Sequence, residues 1–330
     1  MDPAWALREI AFQLERAGEP TYRVRAFRNA ATTVDKLSAE DLAKRAEAGT
    51  LTALPGIGKA TAGVIEDALA GRDPAYRSKI VEKELPDGEP LRSALRGDCH
   101  THSDWSDGGS SIGEMAVAGR DLGHEWMVLT DHSPRLTVAN GLSPDRLRLQ
   151  MEIVAKANEL MAPFRLLQGI EVDILDDGAL DQEEELLGQL DFVVASVHSK
   201  LRMPAKEMTP RMLAAVQNPH VRVLGHCTGR LVTGRGRPES EFDAEAVFTA
   251  CRENGVAVEI NSRPERLDPP MRLLRLAAEL GCVFAIDSDA HAPGQLDWQG
   301  YGCERAIKAG IGPERIINTR TAEDLLAVDS

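Results

Sequence analysis

Six of the eight histidines in this 330-residue chain share one kind of address. Each stands at or just past the end of a short aliphatic, β-branched run. His100 and His102 close the first run, in Gly97-Asp98-Cys99-His100-Thr101-His102. His132 closes the second, His198 the fourth and His226 the fifth. His291 follows the seventh, in Asp287-Ser288-Asp289-Ala290-His291. The third run ends in Glu171 and Asp173, the sixth in Glu259 and Asn261. From His102 it is 30 residues to His132, then another 39 to Glu171, another 27 to His198 and another 28 to His226. A strand-plus-helix unit occupies about 30 residues, so one ligand-type residue recurs per unit. Imidazoles and carboxylates gathered on one rim would repel or stay unsatisfied without a partner, and divalent cations are that partner. Alternation along a strand turns His100 and His102 to one face. Asp289 and His291 would do the same if their segment stays extended. Asp98 and Asp131 are placed to orient ligands from behind. His124 and His220 precede their strands and read as structural residues.

The elements that must position these groups follow from the same runs. Strands are expected at Leu95–Thr101, Trp126–Thr130, Arg165–Ile174, Phe192–Val197, Val221–Gly225, Ala257–Ile260 and Val283–Ile286. Helical patterns such as Arg146–Met161, Ala244–Asn254 and Met271–Leu280 lie between them. Seven strand–helix repeats predict a parallel sheet, and a chain of this length favours a closed barrel with its site at the C-terminal edge. A doubly wound open sheet is the alternative. Residues 1–92 read instead as helices. Leu7, Ile10, Phe12 and Leu14 mark one, Val24 to Leu37 a second, and Ser38-Ala39-Glu40-Asp41 starts a third. A glycine-rich turn from Leu54 to Gly63 opens a fourth. The stretch from Leu85 to Leu91, with two prolines and a glycine, ends this part. The expected domains are therefore 1–92 and 93–330.

Net charge is −14, and it is unevenly spread. Residues 1–92 hold 14 Lys/Arg and 15 Asp/Glu, so nearly all the acidic excess lies in the larger part, where bound cations would offset it. Global acidity gives no long-range attraction to nucleic acid. The five cysteines are scattered, with no CxxC pair, as expected for reduced thiols in a cytoplasmic protein. No apolar run is long enough to cross a membrane, and the first residues lack a secretion signal.

The chain resembles the polymerase-and-histidinol-phosphatase (PHP) superfamily over roughly residues 95–325. The resemblance rests on Asp98–His102 with Ser106-Asp107-Gly108, Thr130-Asp131-His132, Gly169-Ile170-Glu171, Ser196-Val197-His198, Gly225-His226 and Asp287–His291, all in order. It implies a distorted (β/α)7, TIM-like barrel with three divalent metal ions. By motif, His100, His102, Glu171 and Asp289 would hold the first. Asp107, His132 and His291 would hold the second, with Asp104 an alternative to Asp107. Glu171, His198 and His226 would hold the third, Glu171 bridging. Mixed imidazole and carboxylate ligands accept zinc, manganese or iron. The stretches Gly225–Arg230, Glu259–Asp268 and Ile286–His291 are most similar to the PHP domain of bacterial family X DNA polymerases, where Cys227 is usually proline.

The N-terminal part is similar to the small all-α helix-hairpin-helix domain of the same polymerases. Its carriers are Arg23, Arg25 and Arg28 with the Gly56, Gly58 and Lys59 turn. Glycines let backbone amides approach a phosphate at a helix start. No polymerase core separates the two parts, so nucleotidyl transfer is not expected. The lysine used for sugar-lyase chemistry in those domains aligns with Val64, which cannot form a Schiff base.

The expected activity is metal-dependent phosphodiester hydrolysis of DNA by a metal-activated hydroxide, as a 3′-5′ exonuclease or a nuclease for ends and lesions in DNA repair. Arg230, Arg263 and Lys200 are candidates to grip the scissile phosphate. One alternative is a phosphatase of a small monoester such as histidinol phosphate, which would not need the attached helical domain. A non-enzymatic DNA-binding scaffold is another.

Overall fold

The computed structural model describes residues 1–81 and 83–327. The chain packs as two compact units. One comprises residues 1–84 with Ala292–Gln295, the other Leu85–His291 with the chain from Leu296 onward. Residues 85–92, read from the sequence with the first part, belong with the second, because Leu91 and Leu95 are buried in its core.

Four helices build the first unit: α1 (Pro3–Arg16), α2 (Thr21–Asp35), α3 (Ala39–Glu47) and α4 (Lys59–Leu69). Their starts follow local chemistry. Asp2 Oδ1 accepts the Trp5 N–H at 2.7 Å, and Pro3 sits in the first turn, where its missing donor costs nothing. Ser38 Oγ accepts the Asp41 N–H at 3.1 Å. Leu7, Ile10 and Leu14 of α1 meet Phe27, Leu51, Ile57 and Ile65 in one core. Val64 lies in that core too, 1% exposed. The turn before α4 needs Gly56, whose φ is +75°. Thr33 Oγ1 donates to Pro55 O at 2.9 Å and ties this turn to α2.

The second unit is a seven-stranded parallel barrel: β1 (Gly97–Thr101), β2 (Trp126–Leu129), β3 (Arg165–Asp173), β4 (Phe192–Ser196), β5 (Val223–Leu224), β6 (Ala257–Asn261) and β7 (Phe284–Asp287), paired in sequence order. Each strand falls where the sequence places it, and the helices at Pro144–Met161, Ala244–Glu253 and Met271–Glu279 match within two residues. β5 is shorter than expected. It stops before Gly225, where a Cβ would stand 2.3 Å from Ser196 Oγ.

Closure of the barrel rests on polar contacts between β1 and the end of β7. Thr101 bridges Ala290 in parallel, and the His102 N–H donates to Ala290 O at 2.8 Å. Asp287 Oδ1 accepts the Cys99 N–H at 3.0 Å, while Asp98 Oδ1 accepts the Ser288 N–H at 3.2 Å. Burial holds the Asp98 carboxyl up at about 7 and raises that of Asp287 well above its ordinary value, with Asp98 adding to the effect. The opposite end is plugged by Ile317, Ala322 and Leu325, and Trp126 Nε1 donates to Arg320 O there at 2.9 Å. All five cysteines are buried and unpaired. Among the described residues, no helix is long and apolar enough to cross a membrane.

Candidate metal centre

Glu171, near the end of β3, is fully buried, and five imidazoles crowd its carboxylate. Its Oε2 lies 3.3 Å from His100 Nε2, 3.7 Å from His102 Nε2 and 2.8 Å from His132 Nδ1. Its Oε1 lies 3.2 Å from His198 Nε2 and 2.9 Å from His226 Nε2. A second focus forms at Asp107, whose Oδ1 is 3.4 Å from His132 Nε2 and 3.3 Å from His291 Nε2. His102 joins the two foci. Its ring centroid is 4.4 Å from that of His132 and 4.2 Å from that of His291, and its Nε2 is 3.5 Å from Asp289 Oδ1.

Three groups of ligand atoms each converge within 4.8 Å: His102, Asp107, His132 and His291; His100, His102 and Glu171; His132, Glu171 and His198. The buried nitrogens there are largely without hydrogen bonds. His102 and His198 lack one on both ring nitrogens, His100 on Nε2, His132 and His226 on Nδ1. Buried polar atoms are normally satisfied, so lone pairs left pointing into shared space fit divalent cations.

The electrostatics have the same character. Burial alone would raise the Glu171 pKa, but His198, His100 and His132 outweigh it and hold the carboxyl well below its usual range. Asp289 is likewise lowered against its burial, chiefly by Arg263. Burial, with His291 and His132, pushes His102 well below an ordinary imidazole. Burial also works against the charged form of His198, yet Glu171 and Asp173 raise it to about 9.

Behind the cluster stands Glu259 of β6. Its Oε1 is 2.6 Å from His100 Nδ1. Glu259 accepts from His100 Nδ1 and leaves Nε2 facing Glu171; burial opposes the charged ring, but Glu171 and Glu259 raise its pKa well above the ordinary value. Glu259 Oε2 also accepts the His226 N–H at 2.5 Å and the Asn261 Nδ2–H at 3.2 Å. Asp98 Oδ1 accepts the His100 N–H at 3.2 Å. Asp131 touches no ring. It accepts from the Ser103 N–H at 2.8 Å, Ser103 Oγ at 2.6 Å and Ser106 Oγ at 2.5 Å, anchoring the loop that carries Asp107.

Some sequence expectations change. The Asp289–His291 segment is not extended: Asp289 has φ +51°, in the left-handed region. Both side chains still reach the site, through a turn rather than strand alternation. Arg230 does not line the cavity. Its Nε donates to Arg266 O at 3.1 Å and its Nη2 to Leu267 O, while its Nη1 lies 3.8 Å from Glu239 Oε1, so its charge is spent on those carbonyls and on Glu239. Lys200 pairs with Asp176 and lines a neighbouring hollow with Arg135 and Asp173. Arg263 does line the cavity, where its Nη1 donates to His291 Nδ1 at 2.8 Å. Asp104 is absent from the convergent groups.

Two contributors go beyond the ligand set expected from the sequence. Glu259 sits at a strand end like Glu171, yet only its depth shows that it faces His100. Arg266 lies in an irregular loop. Its Nε is 3.2 Å from Asp289 Oδ2, and its buried Nη1 has no hydrogen bond. Of the histidines set apart from the sequence, His124 is buried away from the cluster and His220 lies 3.2 Å from Glu184.

The basic group of the first unit also divides. Arg28 is 8% exposed and bonds both oxygens of buried Glu15, at 2.9 and 2.7 Å, so it holds the core together and is not offered to a ligand. Arg23 is held by Glu19 at 2.7 Å and the Tyr76 hydroxyl at 3.1 Å. Arg25, Gly56, Gly58 and Lys59 are exposed.

Comparison with known proteins agrees with this geometry. Residues 98–263 match the PHP domain and residues 1–73 a helix-hairpin-helix domain. The chain is 39% identical over 233 residues to the DNA polymerase/3′-5′ exonuclease PolX of Bacillus subtilis, covering 71% of this chain but only 40% of that protein. It is 30% identical over 237 residues to a probable phosphatase of Thermoanaerobacter sp. strain X514, covering 67% of this chain and 89% of the relative. A solved histidinol phosphate phosphatase from Lactococcus lactis, complexed with zinc, L-histidinol and phosphate, is 19% identical with a TM-score of 0.48, covering 66% of this chain and 95% of that one. With half of its length matched by one family and its imidazoles gathered around a buried glutamate, the chain belongs to the PHP domain family and is a metal-dependent phosphoesterase.

Proposed function

We propose that the chain is a phosphodiesterase acting on DNA, either a 3′-5′ exonuclease or a nuclease that trims ends and lesions. The observation that carries this reading is the union, in one polypeptide, of a phosphoesterase barrel with a helix-hairpin-helix domain. A phosphatase of small monoesters has no use for the second part. The likeness to PolX, named for a 3′-5′ exonuclease, supports the same reading.

His100, His102, Glu171 and Asp289 would hold one divalent ion, Asp107, His132 and His291 a second, and Glu171, His198 and His226 a third. Zinc, manganese or iron would supply Lewis acidity toward phosphoryl oxygens and toward water. The protein's own groups do the rest. Glu259 holds the ring of His100 by its Nδ1. Arg263 and Arg266, flanking Asp289, would hold the non-bridging oxygens as negative charge redistributes over the phosphoryl oxygens. Arg263 keeps its proton securely: burial opposes the charge, but Asp289 and Glu265 raise its pKa. In the helical domain, Gly56, Gly58 and Lys59 lead into α4, and Thr61 Oγ1 fixes the turn by accepting the Gly58 N–H at 2.9 Å. Amides at that helix start, with Lys59 and Arg25, would hold the DNA backbone. Five unpaired cysteines support a reducing, cytoplasmic setting.

The test is hydrolysis of end-labelled oligonucleotides of several structures under different metals, alongside histidinol phosphate. DNA cleavage that disappears in His132→Ala is expected. Hydrolysis of histidinol phosphate alone would overturn the DNA reading. The 89% coverage of the Thermoanaerobacter relative, named only a probable phosphatase, favours a phosphatase as the alternative.

A further inference from the structure

The cavity over Glu171, about 450 Å³ in volume, has two unlike walls. Arg263 and Arg266 supply a cationic one. Leu136, Val138 and Ala139 supply an apolar one, and Leu231, whose neighbour Val232 donates its N–H to Glu265 O at 2.7 Å, adds an apolar side chain beside the arginine loop. Val138 is 93% exposed, so folding gains almost nothing from its methyl groups. It stands on the turn Thr137–Ala139, which is pinned at both ends. The Leu136 N–H donates to Ser133 O at 3.2 Å, and the Leu142 N–H to His132 O at 2.7 Å. Leu231 is fixed by a two-way backbone pairing with Arg237, at 3.0 and 2.9 Å. The apolar lip is therefore set in place relative to the histidines, beside a cavity otherwise built of charge.

A ligand that uses both walls is an anion joined to a flat, weakly hydrated group. A nucleotide has that form. A sugar or polyol phosphate would leave the lip wet. We propose that Leu136, Val138, Ala139 and Leu231 form a nucleobase subsite, which receives the face of the terminal base while Arg263 and Arg266 hold its phosphate. This rests on the nucleic-acid reading of the site and adds where the base lies. The lip presents no hydrogen-bonding side chain, so every base is accepted through its face.

The test measures binding by the manganese-loaded full chain. The probes are methylphosphonate and the 5′-C-phosphonate analogue of thymidine monophosphate, whose C–P bonds are not hydrolysed. The nucleoside analogue should bind at least tenfold more tightly. Val138→Ser combined with Leu231→Ser should reduce that preference about tenfold, as expected for lost apolar contacts. Equal affinity for both probes in the parent protein, or an unchanged preference in the variant, overturns the subsite. Val138→Ser alone alters an exposed position, so it supplies the same reading if the double variant does not fold. The oligonucleotide assay reports on the DNA reading separately. If DNA is left uncut while the nucleoside preference holds and falls in the variant, the subsite stands and the polymer substrate is wrong.

Discussion

Glu171 is a single anion shared by His100, His102, His132, His198 and His226. Its replacement by glutamine keeps the volume and removes the charge that all five depend on. Glu171→Gln should therefore lose at least one bound metal equivalent and about 100-fold or more in kcat, read by elemental analysis and steady-state kinetics. His124 makes a different prediction, about stability. Burial, with Arg92 nearby, lowers its pKa to about 3. An unfolded histidine binds its proton near 6.5, so between about 6.5 and 3 the unfolded state holds more protons. Stability from this group is complete above 6.5 and falls as the pH drops. The loss reaches about 2 kcal/mol at pH 5. Denaturant titrations of wild type and His124→Phe at pH 7.5 and pH 5 should show the variant losing about that much less on acidification. An equal loss in both would exclude His124 as the cause.

The loop after β6 is held by residues that never reach the cavity. Asp268 accepts from Thr228 Oγ1 at 2.6 Å and the Thr228 N–H at 3.2 Å, while Arg230 donates to the carbonyls of Arg266 and Leu267. This loop carries Arg263 and Arg266, so Arg230 would act on a bound phosphate only by positioning them. Arg230→Met should raise KM about tenfold with a smaller change in kcat. Arg266→Met should lower kcat itself about 100-fold, since its contact strengthens as charge develops. Equal effects in the two variants would contradict the division. In the helical unit, Val64 is packed among Ile65, Ala68 and Leu14. Val64→Lys should cost several kcal/mol and unfold that unit before it yields any Schiff-base chemistry, as thermal denaturation would show.

At the scale of the whole molecule, spacing in the sequence exposed the strand order and the rim where the ligands gather. A βα unit repeats every 30 residues or so, and that period survives in the primary structure. Orientation within irregular segments did not. Asp289 reaches the site from a left-handed residue, Arg230 turns to backbone carbonyls, and Arg28 is drawn inward by Glu15. Each outcome depends on a partner distant in sequence, which no local pattern encodes. The charge balance was legible, and it has a consequence. The barrel part is strongly acidic and the helical part nearly neutral, so the proposed DNA binding would have to come from a few local contacts. Lys59→Glu with Arg25→Glu should raise KM for an oligonucleotide about tenfold. It should also flatten the salt dependence by about one to two units of logarithmic slope.

The seam between Thr101 and Ala290 joins segments made almost at opposite ends of synthesis of this unit. Ligand-type residues run from His100 to His291, so a nascent or prematurely terminated chain that stops short of residue 284 has most of the imidazoles and lacks the last acid, the last histidine and the strand that shuts the barrel. Truncated chains of that kind would then be unable to complete the metal centre. The phosphoesterase acquires its last ligands only once that seam can close.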